Sequence, residues 1–251
     1  MADVEVVKRC KGGGALYRIS EQRVRKRSRG KLIVVEGIDG SGKSIQLYLL
    51  DKWLRHLGVL VFNTAWKPSA VTKDMTPKRK RKDLLTPPTL SLLHATDFAD
   101  TYERKIRPLL RAGYFVLADG YVYEAYATDA VRGCHPRWVR RVYSFAARPD
   151  AVFYYHVPVE VGVERALTGR QRLNFYEAGM DLNLSNDEYE SYRIFQSGII
   201  EQYKAMASKE RFVVMDGTLD MGLQQRRMRE DVLGLLPPKL ATIASKELNV
   251  S

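Results

Sequence analysis

Short apolar runs alternate with helical patterns along most of the chain. In the helical stretches apolar residues recur every three or four positions, as in amphipathic helices. Strands that alternate with helices indicate an α/β fold, with a parallel sheet covered by helices on both faces. Ligands of such sheets bind at the carboxyl ends of the strands. The five runs that predict strands lie at 32–36, 59–63, 114–118, 150–156 and 211–215.

The first predicted strand runs directly into a glycine-rich turn. Residues 37–44 are GIDGSGKS, which is G-x-x-x-x-G-K-[ST] between a strand and a helical pattern. Glycines let backbone N–H groups approach a phosphate, and the helix N-terminus adds positive partial charge. A chance glycine-rich turn is the alternative, which the flanking elements disfavour. The predicted ATP-binding residues are Gly37, Ile38, Asp39, Gly40, Ser41, Gly42, Lys43, Ser44 and Ile45.

Two polar side chains of the loop and one acid elsewhere suit metal and phosphate binding. Lys43 is placed to contact the β- and γ-phosphates, and the Ser44 hydroxyl is placed to ligate Mg²⁺. Asp119 follows an apolar strand, where an acid holds Mg²⁺ directly or through water, or caps the next helix. Asp39 either contacts a second substrate or forms the turn before a glycine.

Arginines cluster where a helix gives way to an irregular polar segment at 168–186. Arg165, Arg170 and Arg172 lie there. Arginines on a mobile lid neutralise charge on a transferring phosphoryl group and close the site to water. The alternative is a solvated helix end, where cations are favoured by the helix dipole.

The positive charge is concentrated in two segments. The 251 residues carry a net charge of +12. Residues 1–31 hold ten Lys/Arg against three Asp/Glu, and residues 67–82 hold seven against one. Nucleic acid, polyphosphate or a nucleotide would suit either segment, although solvated charge is the simpler interpretation. The predicted organisation is a basic extension at 1–30, a P-loop domain at 31–236 with a basic loop at 64–88, and a tail at 237–251.

The remaining composition predicts a cytoplasmic protein with no membrane segment. No apolar run reaches the length of about 18 residues that a membrane helix needs. The N-terminus is too polar for a secretory signal. Cys10 and Cys134 lie far apart, which fits a reducing compartment with neither a disulfide framework nor a zinc site.

Three stretches resemble the thymidylate kinase family of P-loop nucleoside monophosphate kinases. They are EGIDGSGKS, LSLLHATDFADTYERKIRPLLRAGYFVLADGY and RPDAVFYYHVPVEVGVERAL. The resemblance implies a P-loop fold, a homodimer, and ATP- and Mg²⁺-dependent phosphorylation of a nucleoside monophosphate, most simply dTMP. It implies that Asp39 holds the acceptor's sugar hydroxyl, that Ser44 and Asp119 organise the metal, and that Arg170 and Arg172 are the catalytic lid residues, since Gly40 leaves the loop without an arginine.

The sequence departs from the family pattern mainly on the acceptor side. Gly120 stands where the family has a phosphate-bridging arginine, and Ile45 replaces a hydroxyl residue. Restoring an arginine at 120 is expected to raise a residual activity. Lys67, or the basic cluster at 78–82, is a candidate replacement. The predicted acceptor-binding residues are Asp39, Lys67, His94, Phe98, Tyr121, Tyr126 and Thr128.

Three alternatives stay open at this point. The first is a degenerate paralogue that binds nucleotide with little turnover, which Gly120 and Ile45 suggest. The second is a P-loop kinase that uses polyphosphate or a nucleic-acid-linked acceptor through its basic segments. The third is a deoxynucleoside kinase, whose neutral acceptor needs a carboxylate base. Glu36 and Asp119 are the candidates for that base by position.

Overall fold

A five-stranded parallel sheet forms the centre of the molecule, with the strand order β2-β3-β1-β4-β5. The structure is a computed structural model that describes residues 30–66, 85–168, 173 and 175–250. It confirms the predicted α/β class, and each strand lies within two residues of its predicted position. The strands are β1 (Lys31–Glu36), β2 (Val61–Ala65), β3 (Phe115–Asp119), β4 (Ala151–His156) and β5 (Val213–Asp216).

Helices cover both faces of the sheet. The predicted helix over 89–111 is two helices joined by a π-helical turn at Tyr102–Ile106. Pro108 lies two residues after this turn, and it has no N–H to donate to the preceding helical residues. The helices are α1 (Lys43–His56), α2 (Pro87–Thr101), α3 (Arg107–Arg111), α4 (Val122–Val131), α5 (Pro136–Val142), α6 (Val159–Leu167), α7 (Glu188–Glu210), α8 (Met221–Leu233) and α9 (Pro238–Val250).

The strands supply the two hydrophobic cores in alternation. Leu32 and Val34 of β1 belong to one core, with α2, α4 and α7, and Ile33 and Val35 belong to the other, with α1 and α8. This is the expected result of a side-chain period of two in a sheet that is buried on both faces.

The expectation of a C-terminal tail was wrong. Residues 238–250 form α9, whose Ala244 and Leu248 are buried against the core that contains α1 and α8. The two prolines at 237 and 238 suggested the end of the fold, but proline is favoured in the first turn of a helix. The apolar spacing of Leu240, Ala244 and Leu248 is four residues, which places all three on one helix face.

Several predicted segments lie outside the described residues. They include residues 1–29 of the basic extension, most of the basic loop and part of the lid segment, with the residues Lys67, Arg170 and Arg172. Within the described part of the chain, no helix has both the length and the apolar character needed to cross a membrane.

Candidate active site at the carboxyl edge of the sheet

The phosphate loop connects β1 to α1 through backbone conformations that favour glycine. Gly37, Gly40 and Gly42 have φ angles of 148°, 73° and 87°. A Cβ at Gly37 would lie 2.7 Å from the carbonyl oxygen of Tyr155, so the loop passes close to β4. Gly42 immediately precedes α1, and no atom lies within 4 Å of where its Cβ would be. The result is an open cradle of backbone N–H groups at a helix N-terminus, which suits a phosphate.

The polar side chains of the loop fit a triphosphate. The Ser41 hydroxyl is buried and finds no hydrogen-bond partner among the described residues. Lys43 Nζ donates to the carbonyl oxygen of Ile38 at 3.4 Å, a long bond that a phosphate oxygen can replace. Ile45, next to the loop, is 45% exposed.

The two predicted Mg²⁺ ligands follow or end neighbouring strands. Ser44 is exposed in the first turn of α1. Asp119 ends β3, directly beside Val35 of β1 in the parallel register. No group of three or more His, Cys, Asp or Glu residues that could hold a metal ion occurs among the described residues. One hydroxyl and one carboxylate fit a Mg²⁺ ion that takes most of its coordination from nucleotide phosphates and water.

Asp39 and Glu36 are both held by tyrosines of α7, but differently. The Tyr192 hydroxyl donates to Asp39 Oδ2 at 3.3 Å, and Asp39 is partly exposed. Glu36 is completely buried. Its carboxylate accepts from the Tyr203 hydroxyl at 2.7 Å and from the Tyr121 backbone N–H at 2.9 Å. Burial, assisted by the nearby Glu124 carboxylate, raises the pKa of Glu36 well above its usual value. With both oxygens engaged and no exposed surface, Glu36 is unsuited to act as a base on a substrate.

An aromatic cleft lies beside the phosphate loop, at the ends of β2 and β3. It is a narrow depression that opens in part to solvent. Its lining includes two predicted acceptor residues, Phe98 and Tyr121. The full set is Thr64, Ala65, Trp66, Asp97, Phe98, Thr101, Ile106, Gly120 and Tyr121.

Phe98 is the centre of the aromatic packing around this cleft. Its ring lies 5.3 Å from the Trp66 ring in a stacked arrangement, and Tyr121 and Tyr143 approach it edge-on. Tyr121 is completely buried, and its hydroxyl donates to the carbonyl oxygen of Ala147. Phe98 and Tyr121 therefore form the floor of the cleft, while Trp66 stays partly exposed.

Trp66 is a cleft residue that the sequence interpretation missed. It follows β2 directly, and its backbone N–H donates to the carbonyl oxygen of Asp119 at 3.3 Å. Its position just past a strand end was the available signal. The sequence alone, however, did not show that the indole packs on Phe98 of α2.

Three other predicted acceptor residues are absent from the cleft lining. His94 is partly buried on α2. Tyr126 carries the Arg140 guanidinium over its ring at 4.5 Å. Thr128 donates its hydroxyl to the carbonyl oxygen of Glu124 at 2.9 Å, one turn back on α4. Their part in acceptor binding stays a prediction.

Glu124 is a second residue that the sequence interpretation missed. Gly120 has a φ of 77°, and a Cβ at that position would overlap Glu124 Oε2. A carboxylate thus occupies the space beside the position where the family has an arginine. Burial raises the pKa of Glu124 to about 7, opposed by Lys43 and assisted by Asp39, Asp119 and Glu177.

A buried arginine fixes the described end of the predicted lid. Arg132 of α4 donates to Asp181 Oδ2 at 3.0 Å and to the carbonyl oxygen of Tyr176. Its guanidinium also lies 4.5 Å from the ring centre of Phe195. At the donor side, Arg165 of α6 donates to the carbonyl oxygen of Gly217, just past β5.

Comparison with known proteins agrees with this geometry. Residues 35–227 match the thymidylate kinase family. A probable thymidylate kinase 2 of Saccharolobus solfataricus is 43% identical over 190 residues, which cover 75% of this chain and 89% of that protein. A thymidylate kinase of Brachyspira hyodysenteriae is 29% identical over 160 residues, covering 59% and 74%. The chain therefore belongs to the thymidylate kinase family and is a kinase of the nucleoside monophosphate class.

Proposed function

We propose that the protein transfers the γ-phosphoryl group of ATP to dTMP and forms ADP and dTDP. Family membership supports this assignment. The structural observation that carries it is the position of an open phosphate loop beside an aromatic cleft at one edge of the sheet. The loop suits the triphosphate, and the cleft suits a flat base.

On the donor side, the N–H groups of the loop and the start of α1 hold the phosphates, and Lys43 moves from the Ile38 carbonyl to the β- and γ-phosphates. Ser44 and Asp119 would hold Mg²⁺, which would neutralise charge on the phosphates. Arg165, tied to the Gly217 carbonyl, helps to fix the loop after β5 at the same edge of the sheet.

On the acceptor side, Asp39 accepts a hydrogen bond from the sugar hydroxyl of dTMP, with its carboxylate oriented by Tyr192. The base stacks in the cleft formed by Trp66, Phe98 and Tyr121. The acceptor phosphate is already ionised, so its oxygen attacks the γ-phosphate without a general base. Positioning and charge neutralisation supply the rate.

Several parts of this proposal lie on residues outside the described ranges. Lys67, Arg170 and Arg172 are proposed to supply the cations that the described acceptor site lacks. A homodimer and a cytoplasmic location likewise stay predictions.

A coupled ADP-release assay with dTMP, dUMP, UMP, dCMP and CMP tests the proposal. We expect dTMP to give the highest kcat/KM, with kcat above about 1 s⁻¹. Lys43→Ala should abolish turnover with every acceptor, which excludes a contaminating kinase. Another acceptor with a higher kcat/KM would overturn the choice of dTMP.

A paralogue that binds nucleotide with little turnover is a second candidate, which the Gly120–Glu124 arrangement favours. An arginine at position 120 would have stabilised transferring charge, and such residues contribute about 10³-fold or more in rate. Submicromolar to micromolar ATP binding by calorimetry, with turnover of all five acceptors at background, would select this candidate.

The basic segments suggest a polyphosphate or nucleic-acid acceptor, which stays a prediction because they lie outside the described residues. Counterion release would make such binding fall steeply with salt. Binding to a labelled oligonucleotide and to polyphosphate over a range of salt concentrations measures it, and salt-independent or absent binding contradicts it.

A further inference from the structure

Glu124 is a carboxylate that the proposed reaction does not use. It lies in the first turn of α4, and its Oε2 occupies the space that a Cβ on Gly120 would need. It is only partly buried, and no described residue forms a hydrogen bond with its carboxylate. An acid that is desolvated in a cleft without a hydrogen-bond partner is costly for the fold and is typical of functional sites.

The surroundings of Glu124 are mostly acidic. Its carboxylate interacts electrostatically with charged side chains of the phosphate loop, of β3 and of the lid segment. Among the described residues that interact with Glu124, Lys43 is the one cation, and it is needed by the triphosphate. The described titratable groups that interact with Glu124 are Glu36, Asp39, Lys43, Asp119, Tyr143, Glu177 and Tyr203.

The other three carboxylates of the site have either hydrogen-bond partners or a proposed role. Glu36 is buried with both oxygens engaged. Asp39 interacts with Tyr192, and Asp119 is a proposed metal ligand. Asp119 and Glu124 are both partly exposed and form no side-chain hydrogen bond in the described part of the chain. Since Asp119 has a proposed role at the metal, Glu124 is the carboxylate of the four that is left without one.

We propose that Glu124 allows the same cleft to phosphorylate a second acceptor, the neutral 5′-hydroxyl group of a nucleoside, by acting as its general base. This inference rests on the proposed function, because it uses the same ATP site and the same aromatic cleft. Glu124 removes the hydroxyl proton as the oxygen forms its bond to the γ-phosphorus. The bond between that phosphorus and the β,γ-bridging oxygen breaks, and ADP leaves. The products are ADP, a nucleoside monophosphate and a proton.

The charge of the site favours this acceptor. A dianionic acceptor phosphate beside Glu124 is repelled by the carboxylate, and no arginine is among the described residues that line the cleft. A hydroxyl group carries no charge and has a proton to lose, so the carboxylate assists it. The acceptor is a nucleoside because the cleft next to Gly120 is lined by Trp66, Phe98 and Tyr121, which suit a flat base.

Thymidine and dTMP are compared as acceptors for the full chain, with isotope-labelled ATP and separation of dTMP from dTDP. We expect thymidine to be phosphorylated, and Glu124→Gln to lower that rate by about 10²-fold or more. The same variant should lower KM for dTMP, because it removes a negative charge. Glu103→Gln, at an exposed position before α3, is the matched control and should change neither rate.

The pH profile provides a test that does not depend on a variant. The thymidine rate should rise as pH increases through about 7 and then level off, because the base must be ionised and its pKa is about 7. A rate that is flat over this range would overturn the proposal. So would equal losses with both acceptors in Glu124→Gln, since a structural role lowers both rates together.

The acceptor comparison separates failure of this inference from failure of the proposed function. Turnover of dTMP with none of thymidine overturns the inference alone. Turnover of thymidine with none of dTMP overturns the proposed function and supports the inference. Binding of ATP with turnover of neither acceptor overturns both.

Discussion

Gly40 of the phosphate loop lies so close to Gly162 of α6 that a Cβ at Gly40 would overlap the Gly162 carbonyl oxygen. A Cβ at Gly162 would meet the end of the Ile38 side chain, which belongs to the same loop. Gly40 also has a φ of 73°. The loop is therefore held against α6 by close backbone contact, and an arginine at position 40 has no space. This supports the prediction that the catalytic arginines lie in the lid, although Arg170 and Arg172 are outside the described residues.

Gly40→Ala should weaken ATP binding by at least about 10-fold, because the loop must move away from Gly162 to accommodate the new methyl group. Calorimetric titration with ATP measures the effect. Gly58→Ala is the matched control, since its φ is 80° and no atom lies within 4 Å of the Cβ position. That variant should lose only about 1–2 kcal/mol of stability from backbone strain. Equal ATP affinity in both variants would contradict the role of the Gly40–Gly162 contact.

The structure changes the expectation for Gly120→Arg. The sequence suggested that an arginine would raise a residual activity. The φ of 77° strains any L side chain at this position, and the Cβ would overlap the Glu124 carboxylate. We therefore expect no gain in dTMP turnover from Gly120→Arg alone. The double variant Gly120→Arg/Glu124→Ala removes the overlap and should exceed the single variant in steady-state kcat. A gain of 10-fold or more from the single substitution would show that the backbone adapts readily.

Trp66→Ala should raise KM for dTMP by about 10-fold and change kcat less, because a base–aromatic stack is worth on the order of 1–3 kcal/mol. A binding readout is also possible. In a variant with Trp53→Phe and Trp138→Phe, Trp66 is the one remaining tryptophan. Its fluorescence should change on addition of dTMP and stay unchanged on addition of ATP alone. A KM that is unaffected by Trp66→Ala would remove Trp66 from the acceptor site.

Asp129 makes stability depend on pH. It is completely buried, its Oδ2 accepts from the Ser91 hydroxyl at 2.5 Å, and burial raises its pKa to about 6. Since the folded-state pKa exceeds the unfolded value, folding favours the protonated form. The stabilisation is complete below about pH 4 and is lost as the pH rises through 6.

Asp129→Asn should remove this dependence. In urea unfolding at pH 4.5 and 7.5, the wild type should lose about 2 kcal/mol more than the variant between the two pH values. An equal change in both proteins would show that Asp129 titrates in the folded state as it does in the unfolded chain.

The sequence by itself determined the fold and the phosphate loop. Alternation in β1 places Leu32 and Val34 in one core and Ile33 and Val35 in the other, and this period is a local property that a sequence displays directly. The loop GIDGSGKS is likewise local, because its function depends on consecutive backbone groups between one strand and one helix. The three stretches that resemble the thymidylate kinase family are also local, so they identify the family without any tertiary contact.

Only the tertiary structure decided the acceptor side and the C-terminus. Trp66 meets Phe98 because the ends of β2 and α2 converge, and Glu124 reaches Gly120 because α4 turns back toward β3 with a left-handed residue between them. Helix α9 packs on the fold through Ala244 and Leu248, which are buried in the core that also contains residues of α1 and α8. These contacts are made by residues that are distant in the chain, or they depend on a backbone angle. The order of the amino acids shows neither the distant contacts nor the angle.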